Sequence, residues 1–228
     1  MVSAADSNSL NYFLDRRDAG RRLAKSLATR GITDHLLILG LPRGGVPVAY
    51  EVARELKAPL DIWLVRKLGV PGHEELAMGA LASGGARIMN EDVVRSMGVR
   101  PEQIDEVVAK EYKELKRREK EYRGDRPLPE ITNRVVIVVD DGLATGASMR
   151  AALKDLGSQD PARLIVAVPV GAPEVCRALS REASEVICLM QPRFFNAVGN
   201  WYRKFTQTTD QEVRDLLKQA RSEMDDPS

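Results

Sequence analysis

Features that define several large protein classes are scarce in this chain of 228 residues. Aromatic residues make up only 5% of the sequence, so few rings are available to stack on single-stranded nucleic acid. The 34 Lys and Arg residues are nearly balanced by 33 Asp and Glu residues, so the basic excess of a duplex-binding protein is missing. We therefore expect no nucleic-acid partner.

Cysteines and long apolar runs are also scarce. Cys176 and Cys188 are too few for a disulfide scaffold and lack CxxC spacing, so we interpret both as reduced core thiols. The first twenty residues are polar and contain Asp15, Arg16 and Arg17, where a signal peptide needs an apolar run. No stretch reaches the roughly 18 apolar residues of a membrane-spanning helix. We therefore expect a cytoplasmic protein without membrane partners.

Apolar runs of strand length alternate with segments of helical periodicity. The predicted strands cover residues 36–39, 60–65, 76–82, 135–139, 164–170 and 186–189. The predicted helices cover residues 15–30, 46–56, 101–123, 148–156 and 173–180, and a last helix begins near residue 210. Because the strands are continuous Val, Ile and Leu runs, we expect burial on both faces, in an α/β fold with a mostly parallel sheet flanked by helices.

The composition, with 43% hydrophobic and 29% charged residues, predicts a single domain over residues 1–228 with its core at about 36–189. A helical insertion over about 101–124 is rich in Glu, Lys and Arg. We interpret it as a solvated helix or as the dimer arm of a homo-oligomer. We favour these interpretations over a role of Arg117 and Arg118 in substrate binding.

Three unusual loops follow predicted strands, after Leu39, after Val65 and after Val139. Ligands of an α/β fold bind beyond the carboxyl ends of the parallel strands. We therefore expect the three loops to meet at one cleft.

The loop after Val139 carries the most chemistry. Asp140 and Asp141, here named the Asp pair, follow the strand directly. The phosphate loop that follows leads into a helix and consists of Ala144, Thr145, Gly146, Ala147 and Ser148. The free N–H groups and the dipole at a helix N-terminus favour binding of a phosphate. Small residues let the backbone approach that phosphate closely, and the hydroxyl groups add hydrogen-bond donors. The alternative is that these residues only cap a turn and a helix.

The carboxylates restrict which phosphorylated ligand fits. The GxGxxG motif of dinucleotide sites and the GxxxxGK[ST] motif of triphosphate sites are both absent. Two carboxylates would repel a diphosphate beside them, whereas they would accept hydrogen bonds from a ribose diol. We therefore predict a sugar phosphate with free 2′ and 3′ hydroxyls.

The segment from Val135 to Ser148 closely resembles the phosphoribosyl diphosphate (PRPP) motif of type I phosphoribosyltransferases. That motif combines a hydrophobic strand, two acidic residues and a Thr-Gly phosphate loop. The likeness extends to Gly40-Leu-Pro-Arg-Gly-Gly45, which resembles the diphosphate-binding loop of the family. Arg66 and Lys67, with Gly69-Val-Pro-Gly72 after them, resemble the start of its flexible catalytic loop.

The resemblance implies a Mg²⁺-dependent reaction in which a nucleobase nitrogen displaces diphosphate from C1 of PRPP. Arg43 and the N–H groups of Gly44 and Gly45 would hold the leaving diphosphate, and Lys67 would add positive charge. The Asp pair would hold the ribose hydroxyls, with Mg²⁺ bridging substrate oxygens beside it. The alternative for Arg43 and Lys67 is a pair of surface charges at strand ends.

One departure from the family concerns the acceptor. Members that use 6-oxopurines usually carry an Asp two residues before the phosphate-loop Gly, and this chain has Ala144 there. Adenine-specific members resemble it better, which favours an acceptor other than guanine or hypoxanthine, within purine salvage or a related pathway. Since Ala144 exchanges no proton, Glu74 or Glu75 in a predicted mobile loop over 68–76 is the candidate acid or base. The alternative is that both are merely exposed loop acids.

The family usually covers the base with a variable hood, which this chain would build from its N-terminal segment and residues of about 190–206. There Phe194, Phe195 and Trp201 could stack on a flat heterocycle, or pack the last helix onto the sheet. One alternative to an enzyme is a regulator of the same fold that binds PRPP without catalysis. Another is an interaction protein whose phosphate site has lost its function. The chain shows no basic face for a regulator and retains Arg43, Lys67 and the Asp pair, which favours the enzyme.

Overall fold

The computed structural model describes residues 12–32 and 35–225. Within these ranges the strands are β1 (Leu36–Gly40), β2 (Leu60–Ile62), β3 (Val65–Val70), β4 (His73–Ala82), β5 (Arg87–Met89), β6 (Val135–Val139), β7 (Arg163–Val170) and β8 (Glu185–Met190). The helices are α1 (Arg16–Ala28), α2 (Gly45–Leu56), α3 (Glu91–Ser96), α4 (Pro101–Arg123), α5 (Ala147–Gly157), α6 (Pro173–Leu179) and α7 (Asp210–Asp225), with a short 3-10 helix over Val198–Trp201. Residues 1–11 of the predicted N-terminal hood lie outside this description.

Five parallel strands form the central sheet in the order β2-β1-β6-β7-β8. Successive side chains of a strand point to opposite faces, so both faces of this sheet need a cover. Ile137 packs into the apolar cluster formed with α1, α2 and α7, while Val136 and Val138 pack into the cluster formed with α5 and α6. The predicted α/β fold with a mostly parallel sheet flanked by helices is confirmed.

The structure differs from the prediction between residues 60 and 82. The expected strand over 60–65 is divided, because Leu60–Ile62 pairs with β1 while Val65 begins an antiparallel sheet of order β3-β4-β5. The expected loop over 68–76 is a hairpin of β3 and β4. Leu68 and Val70 bury their side chains in the main apolar cluster, which explains why strand structure continues here.

Helix α4 packs against β3, β4 and α7. Ile104, Leu115 and Tyr122 on one face are buried, and most residues of the other face are exposed. No helix in residues 12–32 and 35–225 is long and apolar enough to cross a membrane.

A buried carboxylate joins the two sheets. Asp155 of α5 is 1% exposed and accepts hydrogen bonds from Trp63 Nε1 (2.9 Å), Gly84 N (2.8 Å) and Ala86 N (3.1 Å). Trp63 lies between β2 and β3, and the two glycine-turn donors lie between β4 and β5. The helix that follows the phosphate loop is therefore tied to the antiparallel sheet.

Candidate active site at the carboxyl end of the sheet

Two loops meet where β1 and β6 end side by side. Leu41 N donates to Val139 O (2.9 Å), so the loop after β1 starts on the end of β6. A Cβ atom added to Gly44 would lie 2.0 Å from Asp141 Oδ2, and one added to Gly45 would lie 2.7 Å from Val139 O. Atoms at such distances overlap, so only glycine permits this contact between the predicted diphosphate loop and the Asp pair.

Arg16, at the start of α1, is the nearest cation to this pair and was not predicted from the sequence. Its Nε donates to Asp141 Oδ2 (2.8 Å) and its Nη1 donates to Thr206 O (2.6 Å). Its guanidinium lies 3.9 Å from the ring centre of Phe205. Tyr202 Oη donates to Asp141 O (2.6 Å). Segments from both halves of the chain therefore hold Asp141.

Both carboxyl groups of the Asp pair are shifted towards the protonated form. Burial raises the pKa of Asp140 well above its ordinary range, and the adjacent Asp141 raises that pKa further. Burial also raises the pKa of Asp141, although Arg16 opposes that shift. A cationic ligand beside these groups would restore their charged form.

The phosphate loop has the geometry expected for a helix N-terminus. Gly146 adopts φ +71° and ψ +6°, a left-handed conformation that favours glycine, and α5 begins at the next residue. Ala147 N donates to Thr145 Oγ1 (3.4 Å). Gly146 is buried, and the other four residues of the loop are exposed: Ala144, Thr145, Ala147 and Ser148. Their polar groups are therefore accessible to a ligand.

Arg43 extends from the predicted diphosphate loop towards α7. Its Nη1 lies 3.7 Å from Asp210 Oδ1, and Asp210 also accepts a hydrogen bond from Tyr122 Oη of α4. The side chain of Arg43 is one-third exposed. Asp210 thus holds Arg43 at the edge of the loop, and a diphosphate would compete with Asp210 for this guanidinium.

The predicted catalytic-loop residues lie on the β3–β4 hairpin and contact other partners. Arg66 donates to Glu111 of α4 through Nε (2.8 Å) and Nη2 (2.5 Å). Lys67 Nζ lies 3.1 Å from Glu75 O and 3.4 Å from Glu75 Oε2. Glu74 runs along the backbone of Gly69, where an added Cβ would lie 2.5 Å from Glu74 O. Among the described residues these side chains form no hydrogen bond or ion pair with the Asp pair.

The aromatic residues Trp201 and Tyr202 after β8 pack against the N-terminal segment. Trp201 stacks on Tyr12 with ring centres 5.9 Å apart, and Tyr202 packs on Phe13 at 5.4 Å. Phe13 N donates to Trp201 O (2.8 Å), so these contacts join the N-terminal segment to the region after β8. Their partners are therefore not the last helix.

Two predicted stacking residues remain. Phe195 packs partly against the small apolar cluster that contains Phe13 and Val170. Phe194 is 81% exposed and is the most accessible of the large apolar side chains in the described residues. Of the predicted aromatic set, only Phe194 leaves a whole ring open to a ligand.

Metal binding here would depend on few protein ligands. In residues 12–32 and 35–225, no group of three or more His, Cys, Asp or Glu side chains could hold a metal ion. The Asp pair offers carboxylate oxygens at the end of β6, which suits a hard cation that takes its remaining ligands from water and substrate.

Comparisons with known proteins agree with this arrangement. The family model for the phosphoribosyl transferase domain matches residues 14–199. Two Mycobacterium tuberculosis proteins named as candidate phosphoribosyl transferases, Rv0571c of strain H37Rv and MT0597 of strain CDC 1551, are each 45% identical over 211 residues. Those residues are 92% of this chain and 47% of each relative, so the chain spans about half the length of these curated relatives.

One solved structure is similar over nearly its whole length. The crystal structure of TT1426 from Thermus thermophilus superposes with a TM-score of 0.79 at 43% sequence identity. The alignment covers 91% of this chain and 98% of that chain.

Proposed function

Because the chain belongs to the phosphoribosyl transferase family, we propose that it transfers the phosphoribosyl group of PRPP to a nucleobase-like heterocycle with release of diphosphate. The observation that carries the proposal is the contact between Gly44 of the loop after β1 and Asp141 after β6. That contact supports the proposal, because the ribose and the diphosphate on either side of C1 of PRPP need a carboxylate pair and a diphosphate-binding loop side by side.

The Asp pair would hold the ribose. Its carboxylate oxygens accept hydrogen bonds from the 2′ and 3′ hydroxyls once Asp141 exchanges Arg16 for the sugar. Negative charge beside the ring favours the oxocarbenium character that C1 gains as the bond to diphosphate breaks. The carboxylates therefore act by electrostatic stabilisation rather than by covalent chemistry.

The loop after β1 would hold the leaving diphosphate. Gly44 immediately precedes α2, and the dipole of that helix favours negative charge there. The N–H of Gly45 already donates to Leu41 O (3.0 Å), so the expected role of Gly45 as a diphosphate donor would need this bond to open. Arg43 adds a guanidinium that can leave Asp210 for the diphosphate oxygens. Lys67 and Arg66 would add charge from the hairpin when it moves towards the substrate.

The phosphate loop would hold the 5-phosphate of the ribose. The N–H groups that start α5 are directed at the loop, and Thr145 and Ser148 supply exposed hydroxyls. Ala144 leaves the loop without an acid or base, which supports an acceptor other than guanine or hypoxanthine and a place in purine salvage or a related pathway. Phe194 supplies an exposed ring for that acceptor.

The residues present fit Mg²⁺. The Asp pair could hold the ion through one or two carboxylate oxygens, and PRPP oxygens and water would complete its shell. When bound, the ion neutralises charge on the diphosphate. Its positive charge would also keep the two carboxyl groups ionised against the burial that raises their pKa values.

Closure of the hairpin would bring an acid or base to the acceptor. Transfer from PRPP needs water excluded from C1, while loading of two substrates needs an open cleft. Glu75 is fully exposed and already contacts Lys67, so both would move together with the hairpin. We assign Glu74 or Glu75 as the group that exchanges a proton with the acceptor.

Calorimetry and a diphosphate-release assay test the proposal. Wild-type protein with Mg²⁺ should bind PRPP at millimolar concentration or below, and one member of a panel of purines, pyrimidines and related heterocycles should trigger diphosphate release. Asp141→Asn should fold normally but lose turnover by about 10² or more. Absence of PRPP binding overturns the proposal, whereas binding without release from any acceptor identifies a PRPP-sensing protein instead.

A further inference from the structure

A pocket lies at the end of the central sheet opposite the Asp pair. It has a volume of about 260 Å³ and is bounded by the amino ends of β1 and β2, the segment before β6 and the end of α7. Its apolar lining includes Leu37, Pro59, Leu60 and Met224. The Asp pair follows the carboxyl end of β6, so the two sites are separated by the length of the strands.

Three arginines converge on this pocket. They are Arg126, Arg134 and Arg221. Arg126 Nε donates to Arg123 O (3.0 Å), and Arg134 Nη2 donates to Leu36 O (2.6 Å). Each of these bonds fixes one edge of a guanidinium and leaves its other N–H groups for a ligand.

The acids that line the pocket form no ion pair with these arginines in the part of the chain that the structure describes. Asp61 lines the pocket, but its carboxylate oxygens already accept from Arg123 Nε at 3.2 and 3.3 Å. Asp225 also lines the pocket, yet within the described ranges none of the three arginines forms an ion pair. Partial burial of its guanidinium lowers the pKa of Arg126, and the neighbouring Arg221 also lowers it, whereas Asp61 opposes this shift.

Several positive charges beside an apolar surface favour a ligand that carries negative charge. Guanidinium groups bind phosphate oxygens with parallel hydrogen bonds, and this geometry is more specific than that of an ammonium group. The apolar lining would cover a planar or ring-shaped body beside the phosphate. A free phosphate ion would use the arginines and leave that lining unused.

We propose that this pocket binds a small phosphorylated ligand of the nucleotide class, at a site separate from the Asp pair. The phosphate contacts Arg126, Arg134 and Arg221, and the nucleoside lies on Leu60 and the end of α7. The inference rests on the pocket alone and does not depend on the proposed transfer reaction.

Titration calorimetry with three probes tests the site: adenosine 5′-monophosphate, adenosine and inorganic phosphate. The nucleotide should bind at least tenfold more tightly than either of the other two. Arg126→Gln and Arg221→Gln should each weaken nucleotide binding at least tenfold. Arg181→Gln replaces an exposed arginine outside the pocket and should leave binding unchanged.

Two results would overturn the proposal. One is the absence of nucleotide binding at millimolar concentration in wild-type protein. The other is binding that survives Arg126→Gln and Arg221→Gln but is lost in Gly146→Val, since that pattern places the nucleotide at the phosphate loop. Thermal unfolding of every variant verifies that the changes in binding do not reflect loss of the fold.

Discussion

The Asp pair with its neighbouring glycines and the β3–β4 hairpin differ in how tightly their polar groups are held. The Asp141 side chain is 15% exposed, and Arg16 and the loop at Gly44 contact it directly. On the hairpin, Glu75 is fully exposed and Lys67 is 46% exposed. These contacts hold the first region in one arrangement and leave its atoms little space for adjustment.

The tip of the hairpin is its least anchored part. Leu68 and Val70 pack into the core and Arg66 bonds to Glu111 of α4, whereas Glu74 and Glu75 near the tip are exposed to solvent. Groups that must approach a substrate and then withdraw belong on such an element, since few contacts must be broken to move them. This difference supports the proposal that the sheet end binds PRPP and that the hairpin exchanges the proton.

The largest effect should come from Gly44→Ala. The backbone there is helical, with φ −62° and ψ −31°, so alanine is allowed locally and only its overlap with Asp141 matters. We expect diphosphate release to fall by about 10³ or more, because the loop and the carboxylate must separate. Gly157→Ala is the control, since a Cβ there meets no atom within 4 Å. Wild-type turnover in Gly44→Ala would show that the tight contact is dispensable.

A smaller loss should follow from changing the hairpin acids. Glu74→Gln or Glu75→Gln should reduce the single-turnover rate by about 10², the effect of a general acid or base, without changing PRPP affinity. Both keep side-chain volume, so hairpin structure should persist. Wild-type rates in both variants and in the double variant would remove the hairpin from proton exchange.

The sequence predicts the positions of the Asp pair and the phosphate loop better than it predicts the hairpin. The Asp pair and the phosphate loop follow a continuous run from Val135 to Val139, so local pattern alone places them at a strand end and a helix start. Arg16 was missed because its partner Asp141 is 125 residues away and no local pattern reports that contact. The hairpin was missed because Leu68 and Val70 are separated by Gly69 and followed by Pro71, residues typical of loops.

A moderate effect on stability should come from Asp155, which joins α5 to the antiparallel sheet of the hairpin. Asp155→Ala removes the buried acceptor of Trp63 Nε1, while Gly84 N is near solvent and can bond to water. We expect the free energy of unfolding to fall by about 2 kcal/mol, measured by urea denaturation. Lys154→Ala, on the exposed face of α5, should change it by less than about 0.5 kcal/mol. Equal stability of the two variants would mean that the sheets are joined by other contacts.

The smallest effect should be a pH dependence of the unliganded protein. Burial raises the pKa of Asp140 in the folded state, so the folded protein holds this proton at pH values where the unfolded chain has released it. The free energy of unfolding should therefore fall as pH rises from about 4 through the folded-state pKa. Thermal unfolding between pH 4 and 8 should show a weaker decline in Asp140→Asn. A decline of the same size in both proteins would assign it to other groups.

The contacts around Asp141 join residues that are synthesised at very different times: Arg16, Tyr202 and Thr206. Asp141 is completed by Arg16, whose Nη1 donates to Thr206 O, 190 residues later in the chain. At about 5–20 residues per second, a ribosome needs roughly 10–40 s to cover that separation. A nascent chain that ends before Tyr202 contains both carboxylates of the Asp pair but lacks Tyr202, which donates to Asp141 O, and Thr206, which accepts from Arg16. The site can therefore be completed only after residue 206 has been synthesised, and a ribosome that stalls before that point leaves it unfinished.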